Sequence, residues 1–182
     1  PCGGDGRFTI PFLKQLDFQL TDAQRAVSME IEGDLNGKHP MRRLLQGDVG
    51  SGKAVVALYA VLLAVANRKQ GALMAPTELL AEQHHLSIDT MLEGSSVRLG
   101  LLTGGQSASG SAQRSALLDA IACGDVDIVI GTQALLSESV KFHDLAVVSL
   151  HKPHLVLIVD DYGMWKGEKT LAPRAQVVEG KF

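Results

Sequence analysis

The segment from Leu44 to Val65 carries the residues best suited to chemistry. A short apolar run leads into a glycine-rich turn over residues 47–52, and an apolar, helix-favouring run begins at Lys53. Glycines let successive backbone N–H groups turn toward an oxyanion, a helix N-terminus adds partial positive charge, and the lysine ammonium adds a full charge. The segment therefore predicts a phosphate-binding loop between a strand and a helix.

This loop departs from the full pattern G-x-x-x-x-G-K-[ST] at one position. The final residue of the pattern supplies a hydroxyl that holds magnesium on the β- and γ-phosphates, but Ala54 stands there. The alternative interpretation is a glycine turn into a buried helix, with no ligand. The phosphate-loop interpretation predicts nucleotide contacts, with one magnesium ligand missing, from Gly47, Gly50, Ser51, Gly52, Lys53 and Ala54.

Composition limits the class of protein. The 182 residues are 46% hydrophobic, which is enough for the core of one globular domain. A net charge of −3 gives no general attraction to nucleic acid, so such contacts must be local. Two distant cysteines and scattered histidines form no disulfide framework or metal-ligand spacing, which favours the cytoplasm. No long apolar window predicts a membrane span, and the missing initiator methionine suggests a fragment of a longer protein.

Helical and strand patterns alternate along the chain. Thr21 and Gln24 have capping-box spacing at the start of a helix that extends to about Leu35. Further strands are predicted at 71–75, 97–102 and 126–130, and further helices at 78–92 and 112–122. This order predicts an α/β fold with a mostly parallel sheet flanked by helices.

Small and hydroxyl residues follow each predicted strand. In a parallel sheet the carboxyl ends of the strands share one edge, where ligands gather. Strand-to-helix turns favour these residues in any case, but four such turns beside a phosphate loop suggest a common binding edge. They are Gly47, Pro76-Thr77, Thr103-Gly104 and Gly131-Thr132.

Five segments together resemble a known family. They are FQLTDAQRAV, PMRRLLQGDVGSGK, ALMAPTELLAEQH, LLTGG and IVIGTQAL. From Phe18 to about Val148 the chain resembles the first motor domain of superfamily 2 DNA helicases, most closely the RecG type. A relative in transcription-coupled repair shares the scheme. The resemblance implies a RecA-like P-loop domain over 18–160, preceded by a lead-in at 1–17 and followed by a divergent tail at 161–182.

The resemblance also implies roles for individual residues. It implies ATP and Mg²⁺ as cofactors, with adenine recognised by Phe18, Thr21 and Gln24 and the triphosphate held by the loop, including a catalytic Lys53. Branched or single-stranded DNA would contact the strand ends at Pro76, Thr77, Thr103, Gly104 and Thr132. Residues 82–85 belong to the same motif and are expected on a solvated helix face. The second motor domain, which supplies an arginine to the transition state, is missing from this chain.

The acidic motif of the family departs most from the pattern. The phrase VKFHDLAVV, residues 140–148, should run into Asp-Glu-Gln-His, but His151-Lys152-Pro153-His154 follow. In one interpretation the motif moved: a strand from Leu155 lies beside the phosphate-loop strand, Asp160 binds magnesium and Asp161 replaces the catalytic glutamate. In the other, the sequence after Val148 is foreign to the family. Residues 146–150 then form the expected strand, and His151 and Lys152 occupy the metal position.

Two functions follow from these features. One is an ATP-dependent DNA helicase motor domain acting in repair and recombination, weak or inactive by itself. The other is a catalytically degenerate fragment that binds nucleotide or DNA. An unrelated P-loop ATPase or kinase would leave the segments around Gln24, Pro76 and Thr132 unexplained.

Overall fold

A computed structural model describes residues 6–37, 40–104, 111–152, 155–159 and 176–179. Five α-helices lie within these ranges: α1 (Thr9–Gln15), α2 (Asp22–Leu35), α3 (Lys53–Ala66), α4 (Glu78–Met91) and α5 (Ser111–Cys123). Seven strands are described as well: β1 (Arg42–Gln46), β2 (Gln70–Met74), β3 (Leu99–Leu102), β4 (Ile128–Gly131), β5 (Leu145–Lys152), β6 (Leu155–Val159) and β7 (Gln176–Glu179). A short 3₁₀ helix covers Gln133–Leu136.

The described strands form one sheet in the order β3-β4-β2-β5-β6-β1-β7. Neighbours from β3 to β5 are parallel, and β1 is parallel to β7. This confirms the predicted α/β fold with a mostly parallel sheet. Strand β6 is the exception, because it runs antiparallel to both β5 and β1.

The direction of β6 follows from the length of its connection. Only two residues separate Lys152 from Leu155. A parallel neighbour needs a crossover of about a dozen residues or more, whereas an antiparallel neighbour can follow a two-residue connection. Strand β6 therefore turns back along β5, with Leu155 opposite Lys152.

Helix α3 forms the centre of the core because its sequence is apolar on every side. Apart from Ala54, every residue from Lys53 to Ala66 is buried. A helix that is hydrophobic all round is stable only when neighbours cover all its faces. It contacts β2, β5 and β6, and also α1 and α2. The phosphate loop is therefore anchored to the most enclosed element of the fold.

The predicted lead-in carries a helix of its own. Within α1, Phe12 is only 1% exposed and joins the core cluster around α3. Arg7 fixes the start of this segment by donating a 3.3 Å hydrogen bond to the carbonyl oxygen of Ala66. Residues 6–15 are thus packed against the domain. Among the described helices, none is long and apolar enough to cross a membrane.

Candidate nucleotide site

The glycine-rich loop lies between β1 and α3, as the sequence predicts. Gly50 and Gly52 have φ angles of +83° and +79°, a left-handed conformation that glycine adopts without steric cost. Gly52 is the N-cap of α3, so the loop leads directly into the positive end of that helix. The backbone therefore has the strand–turn–helix geometry that phosphate binding requires.

Lys53 lies inside the loop and is 6% exposed. Its ammonium donates to the carbonyl oxygens of Gly47 and Asp48 at 2.9 and 2.6 Å, and to Ser51 Oγ at 3.1 Å. Burial lowers the pKa of Lys53, although the charge of Asp48 opposes the shift. The loop thus holds a buried cation that is available to a phosphate group able to replace these carbonyl partners.

Gln24 joins the start of α2 to the loop. Its Oε1 accepts a 2.9 Å hydrogen bond from Thr21 N–H, and its own N–H donates to Thr21 Oγ1 at 3.2 Å, which completes the predicted capping box. Its Nε2 donates to the carbonyl oxygen of Ser51 at 2.9 Å. A Cβ at Gly52 would collide with this amide. Both ends of the Gln24 amide are therefore engaged by the protein, and reading adenine would require partner exchange.

Phe18 lies apart from the phosphate loop. It is 48% exposed and lines a separate cavity of about 430 Å³ together with Leu20 and Arg25. That cavity shares no lining residue with the one at the loop. The adenine-binding role implied for Phe18 remains a prediction.

A cavity of about 440 Å³ opens beside the phosphate loop. Besides the loop, its walls include residues from four elements, namely α3, α4, β5 and β6. The lining residues are Val49, Gly50, Ser51, Gly52, Lys53, Ala54, Pro76, Leu80, His84, His151, Lys152 and Val156. None of them carries a carboxylate. Gly47 and Asp48 contact the site through the ammonium of Lys53.

His84 is a site residue that the sequence interpretation missed. It was expected on a solvated helix face, but it is half-buried and lines the cavity. Ala81 and Ile88 are the buried residues of α4, and His84 lies three positions after the first, on the same face. That spacing was visible in the sequence and is the signal that could have identified it.

His151 forms the back of the cavity and is 7% exposed. Its Nε2 lies 2.9 Å from Ser149 Oγ, and its ring meets the ring of His84 edge-on at a centroid separation of 4.8 Å. Burial lowers the pKa of His151 to about 3, with smaller contributions from His84 and Lys53. Burial also lowers the pKa of His84. Both imidazoles are therefore neutral near pH 7.

The strand geometry supports the interpretation in which residues 146–150 form the expected strand and His151 and Lys152 occupy the metal position. Strand β5 includes residues 146–150, and its last two residues, His151 and Lys152, line the cavity. Strand β6 does lie beside β1, as the first interpretation expected, but Val159 pairs with Arg42. That pairing is at the opposite end of β1 from the loop, about 17 Å away along five residues of strand. Asp160 and Asp161 themselves lie outside the described residues.

The described lining residues of the cavity do not form a donor set that fits a magnesium ion. Magnesium prefers carboxylate and hydroxyl oxygens in octahedral geometry, whereas Ala54 offers a methyl group and β5 offers His151 and Lys152. Across the described ranges, no group of three or more histidine, cysteine or acidic residues could hold a metal ion. The residues present fit a phosphate group but not its usual metal partner.

The predicted DNA-binding residues lie near one another at the same edge of the sheet. Met74 and Leu102 both pair with Gly131, so the turns that follow these strands are neighbours. The strands approach closely there, because a Cβ at Gly131 would collide with the carbonyl oxygen of Leu102. Pro76 and Thr77, Thr103 and Gly104, and Thr132 are thereby brought to one surface.

The individual residues of this edge differ in accessibility. Pro76, Thr77 and Gly104 are exposed, and Pro76 also lines the nucleotide cavity. The hydroxyls of Thr77 and Thr132 accept backbone hydrogen bonds at the starts of the following helices. Thr103 is 5% exposed, so its hydroxyl is not presented to solvent. Arg114, which the sequence interpretation did not single out, donates to the Thr103 carbonyl oxygen and adds positive charge to the edge.

Comparison with known proteins places the chain in a family. It is 49% identical over 143 residues to an ATP-dependent DNA helicase RecG from Pasteurella multocida, and 43% identical over 170 residues to one from Escherichia coli strain K12. These alignments cover 79% and 93% of this chain but 20% and 24% of the relatives. The chain thus spans about a fifth to a quarter of their length. The RecG-type resemblance is confirmed.

The fold agrees with this assignment. A solved structure of RecG bound to a three-way DNA junction matches with a TM-score of 0.73 and 38% identity, covering 81% of this chain and 20% of that one. The sequence profile described as DEAD/DEAH box helicase matches residues 21–168, which is most of the chain. The chain belongs to the DEAD/DEAH box helicase family.

Proposed function

We propose that this chain is the ATP-binding motor domain of a RecG-like DNA helicase that acts on branched or single-stranded DNA in repair and recombination, in the cytoplasm. The observation that carries the proposal is the position of Lys53. Its ammonium is buried within a loop whose backbone has phosphate-binding geometry, at the N-terminus of the most enclosed helix. Family membership gives the class of phosphate ligand, a nucleoside triphosphate.

Different residues of the chain have different roles in the proposed nucleotide binding. The loop amides and Lys53 hold the phosphates, and Gln24 holds the carbonyl of Ser51 so that the loop keeps its shape. Magnesium is the usual partner of ATP in this family, where it neutralises charge on the β- and γ-phosphates. We assign no metal-binding step to this chain, because the described lining residues do not supply the ligands.

DNA binding is proposed at the carboxyl edge of β2, β3 and β4. Contacts there would be made through backbone N–H groups near Thr77, Gly104 and Thr132, which position a strand without reading its sequence. Arg114 adds one positive charge to a chain whose net charge is negative. This arrangement suits weak, sequence-independent contact with a phosphate backbone.

A second candidate function is a binding module without hydrolysis. His151 and Lys152 at the end of β5 favour it, because they stand where the family pattern places a magnesium-binding carboxylate and a catalytic glutamate. The helicase candidate requires nucleotide binding, whereas the binding module requires the binding of nucleotide or DNA. The two candidates differ in whether the protein hydrolyses ATP.

Nucleotide binding is tested by calorimetry with ATP on the whole chain. Lys53→Ala should weaken binding by about 10- to 100-fold, the effect of losing a charged hydrogen bond of about 1.5–3 kcal/mol. Lys141→Ala removes an exposed lysine that does not line the cavity and should bind as the parent does. Equal affinity in both variants would rule out the phosphate-loop assignment.

Turnover separates the two candidates. We expect DNA-stimulated ATP hydrolysis by the longest natural form of the protein, and little or none by this chain alone. We also expect no separation of forked DNA by this chain, which spans about a fifth of the length of its RecG relatives. Strand separation above background, abolished by Lys53→Ala, would contradict that expectation. Absence of hydrolysis in the long form would favour the binding module.

A further inference from the structure

The cavity at the phosphate loop is lined by basic groups from three elements. Lys53 comes from α3, His84 from α4, and His151 and Lys152 from β5. Among the described lining residues none carries a carboxylate. Asp48, the nearest acidic residue to Lys53 along the loop, contacts Lys53 through its backbone carbonyl oxygen. This is an unusual lining for a site whose ligand normally arrives with a metal cation.

The two imidazoles are neutral before a ligand binds. Burial lowers the pKa of both, with smaller contributions from His84 and Lys53 to the shift of His151, and the ring centroids lie 4.8 Å apart. A polyphosphate in this cavity favours protonation of the imidazoles, because an anion within about 4–6 Å favours the charged form of a histidine. Lys53 opposes protonation of His151, but the phosphates neutralise the charge of Lys53 first.

We propose that the site binds ATP as the metal-free polyphosphate and that His84 and His151 together take up about one proton when it binds. The imidazolium so formed provides the positive charge that magnesium provides in sites with a hydroxyl and a carboxylate. The inference rests on the proposed function, since it assumes that a nucleotide occupies this cavity. Ser149 Oγ can either donate to or accept from His151 Nε2, so it remains a hydrogen-bond partner in both protonation states of the ring.

Calorimetry with ATP in EDTA, in two buffers of different ionisation enthalpy, measures the proton uptake. We expect net uptake, and an affinity that rises up to about tenfold per pH unit on acidification through the ordinary histidine pKa. A group whose pKa is higher in the complex than in the free protein favours binding at pH values below its pKa in the complex. ATP itself releases a proton in a cationic site, so its contribution has the opposite sign.

Matched variants identify the proton acceptor. His84→Asn and His151→Asn should each reduce the uptake and flatten the pH dependence, while His143→Asn, an exposed histidine outside the cavity, should not. Because His151→Asn alters a buried position, nuclear magnetic resonance titration of the unmodified chain provides an independent test. There the His84 and His151 imidazole pKa values should rise when ATP is added.

The outcomes are distinct. Proton uptake that is lost in both variants, with imidazole pKa values raised by ATP, supports the proposal. Three results would overturn the proposal and leave the proposed function standing. They are ATP binding without proton uptake, proton uptake that is unchanged in both histidine variants, and an ATP affinity that magnesium increases more than tenfold. Absence of ATP binding at every pH overturns both.

Discussion

Gln24 and Ser51, 27 residues apart in the chain, are joined by a 2.9 Å hydrogen bond from the Gln24 amide to the Ser51 carbonyl oxygen. The same side chain completes the capping box of α2. One buried amide therefore ties the start of a helix to the conformation of the phosphate loop. We therefore expect stability and nucleotide affinity to be coupled through this residue.

The coupling predicts two different variant phenotypes. Gln24→Ala removes the side-chain half of the capping box that accepts from Thr21 N–H, together with the loop contact, so it should cost about 1–2 kcal/mol of unfolding free energy and weaken ATP binding. Thr21→Ala removes only the other half of the capping box, so it should cost about 1 kcal/mol while the loop contact remains. Urea denaturation and calorimetry measure the two quantities. Equal loss of affinity in both variants would show that the loop contact carries no special role.

Ala54 predicts the response to magnesium. Because its methyl group lines the cavity, Ala54→Thr places a hydroxyl beside the phosphates, and magnesium should then tighten ATP binding several-fold. Ala54→Val has nearly the same shape without the hydroxyl and should remain insensitive. The measurement is the ratio of ATP affinities with magnesium and with EDTA. Strong magnesium dependence in the unmodified chain would count against this prediction.

Gly131 predicts a large effect on stability. A methyl group there would collide with the carbonyl oxygen of Leu102 on the neighbouring strand, so Gly131→Ala should destabilise the domain by about 3 kcal/mol. Gly33 provides the matched control, since it lies within α2 and a Cβ there meets nothing within 4 Å. Gly33→Ala should stabilise by about 0.5–1 kcal/mol. If both substitutions shifted the denaturation midpoint in the same direction, the result would contradict the strand geometry.

His151 predicts a pH dependence of stability. Its pKa is about 3 in the folded protein, below an unfolded value of about 6.5. The unfolded chain therefore binds the proton more readily, so this contribution is complete above about pH 6.5 and is lost progressively as the pH falls toward 3. His151→Gln removes the titration and should flatten the curve of unfolding free energy against pH. An unchanged slope in that variant would assign the acid sensitivity to other groups.

Much of this architecture was readable from residue patterns. Thr21 and Gln24 predicted the cap of α2, and the apolar run after Lys53 predicted a buried helix, because both signals are local. The direction of β6 was not predicted. An apolar run such as LVLIV has the same pattern in a parallel or an antiparallel strand, and only the two-residue gap after Lys152 indicated a hairpin.

Site assembly was only partly predictable for a similar reason. Lys53 and its loop form one continuous segment, so their proximity is fixed by chain connectivity. His84 and His151 lie 67 residues apart in the numbering, on α4 and β5, and their rings meet only in the folded domain. Sequence spacing shows that each is near a strand end or a buried helix face, but it does not show that the two rings touch.

The position of β6 between β5 and β1 has a consequence for folding order. In the described sheet, β1 pairs with β6 and β7, which come from residues 155–179, more than a hundred positions later in the chain. Pairings of such long sequence separation form slowly, because the loop must close before any contact is made. The four-stranded parallel part of the sheet comes from residues 70–152 and can assemble first. During synthesis on a ribosome, β1, which leads into the phosphate loop, would therefore stay unpaired until β6 and β7 have emerged.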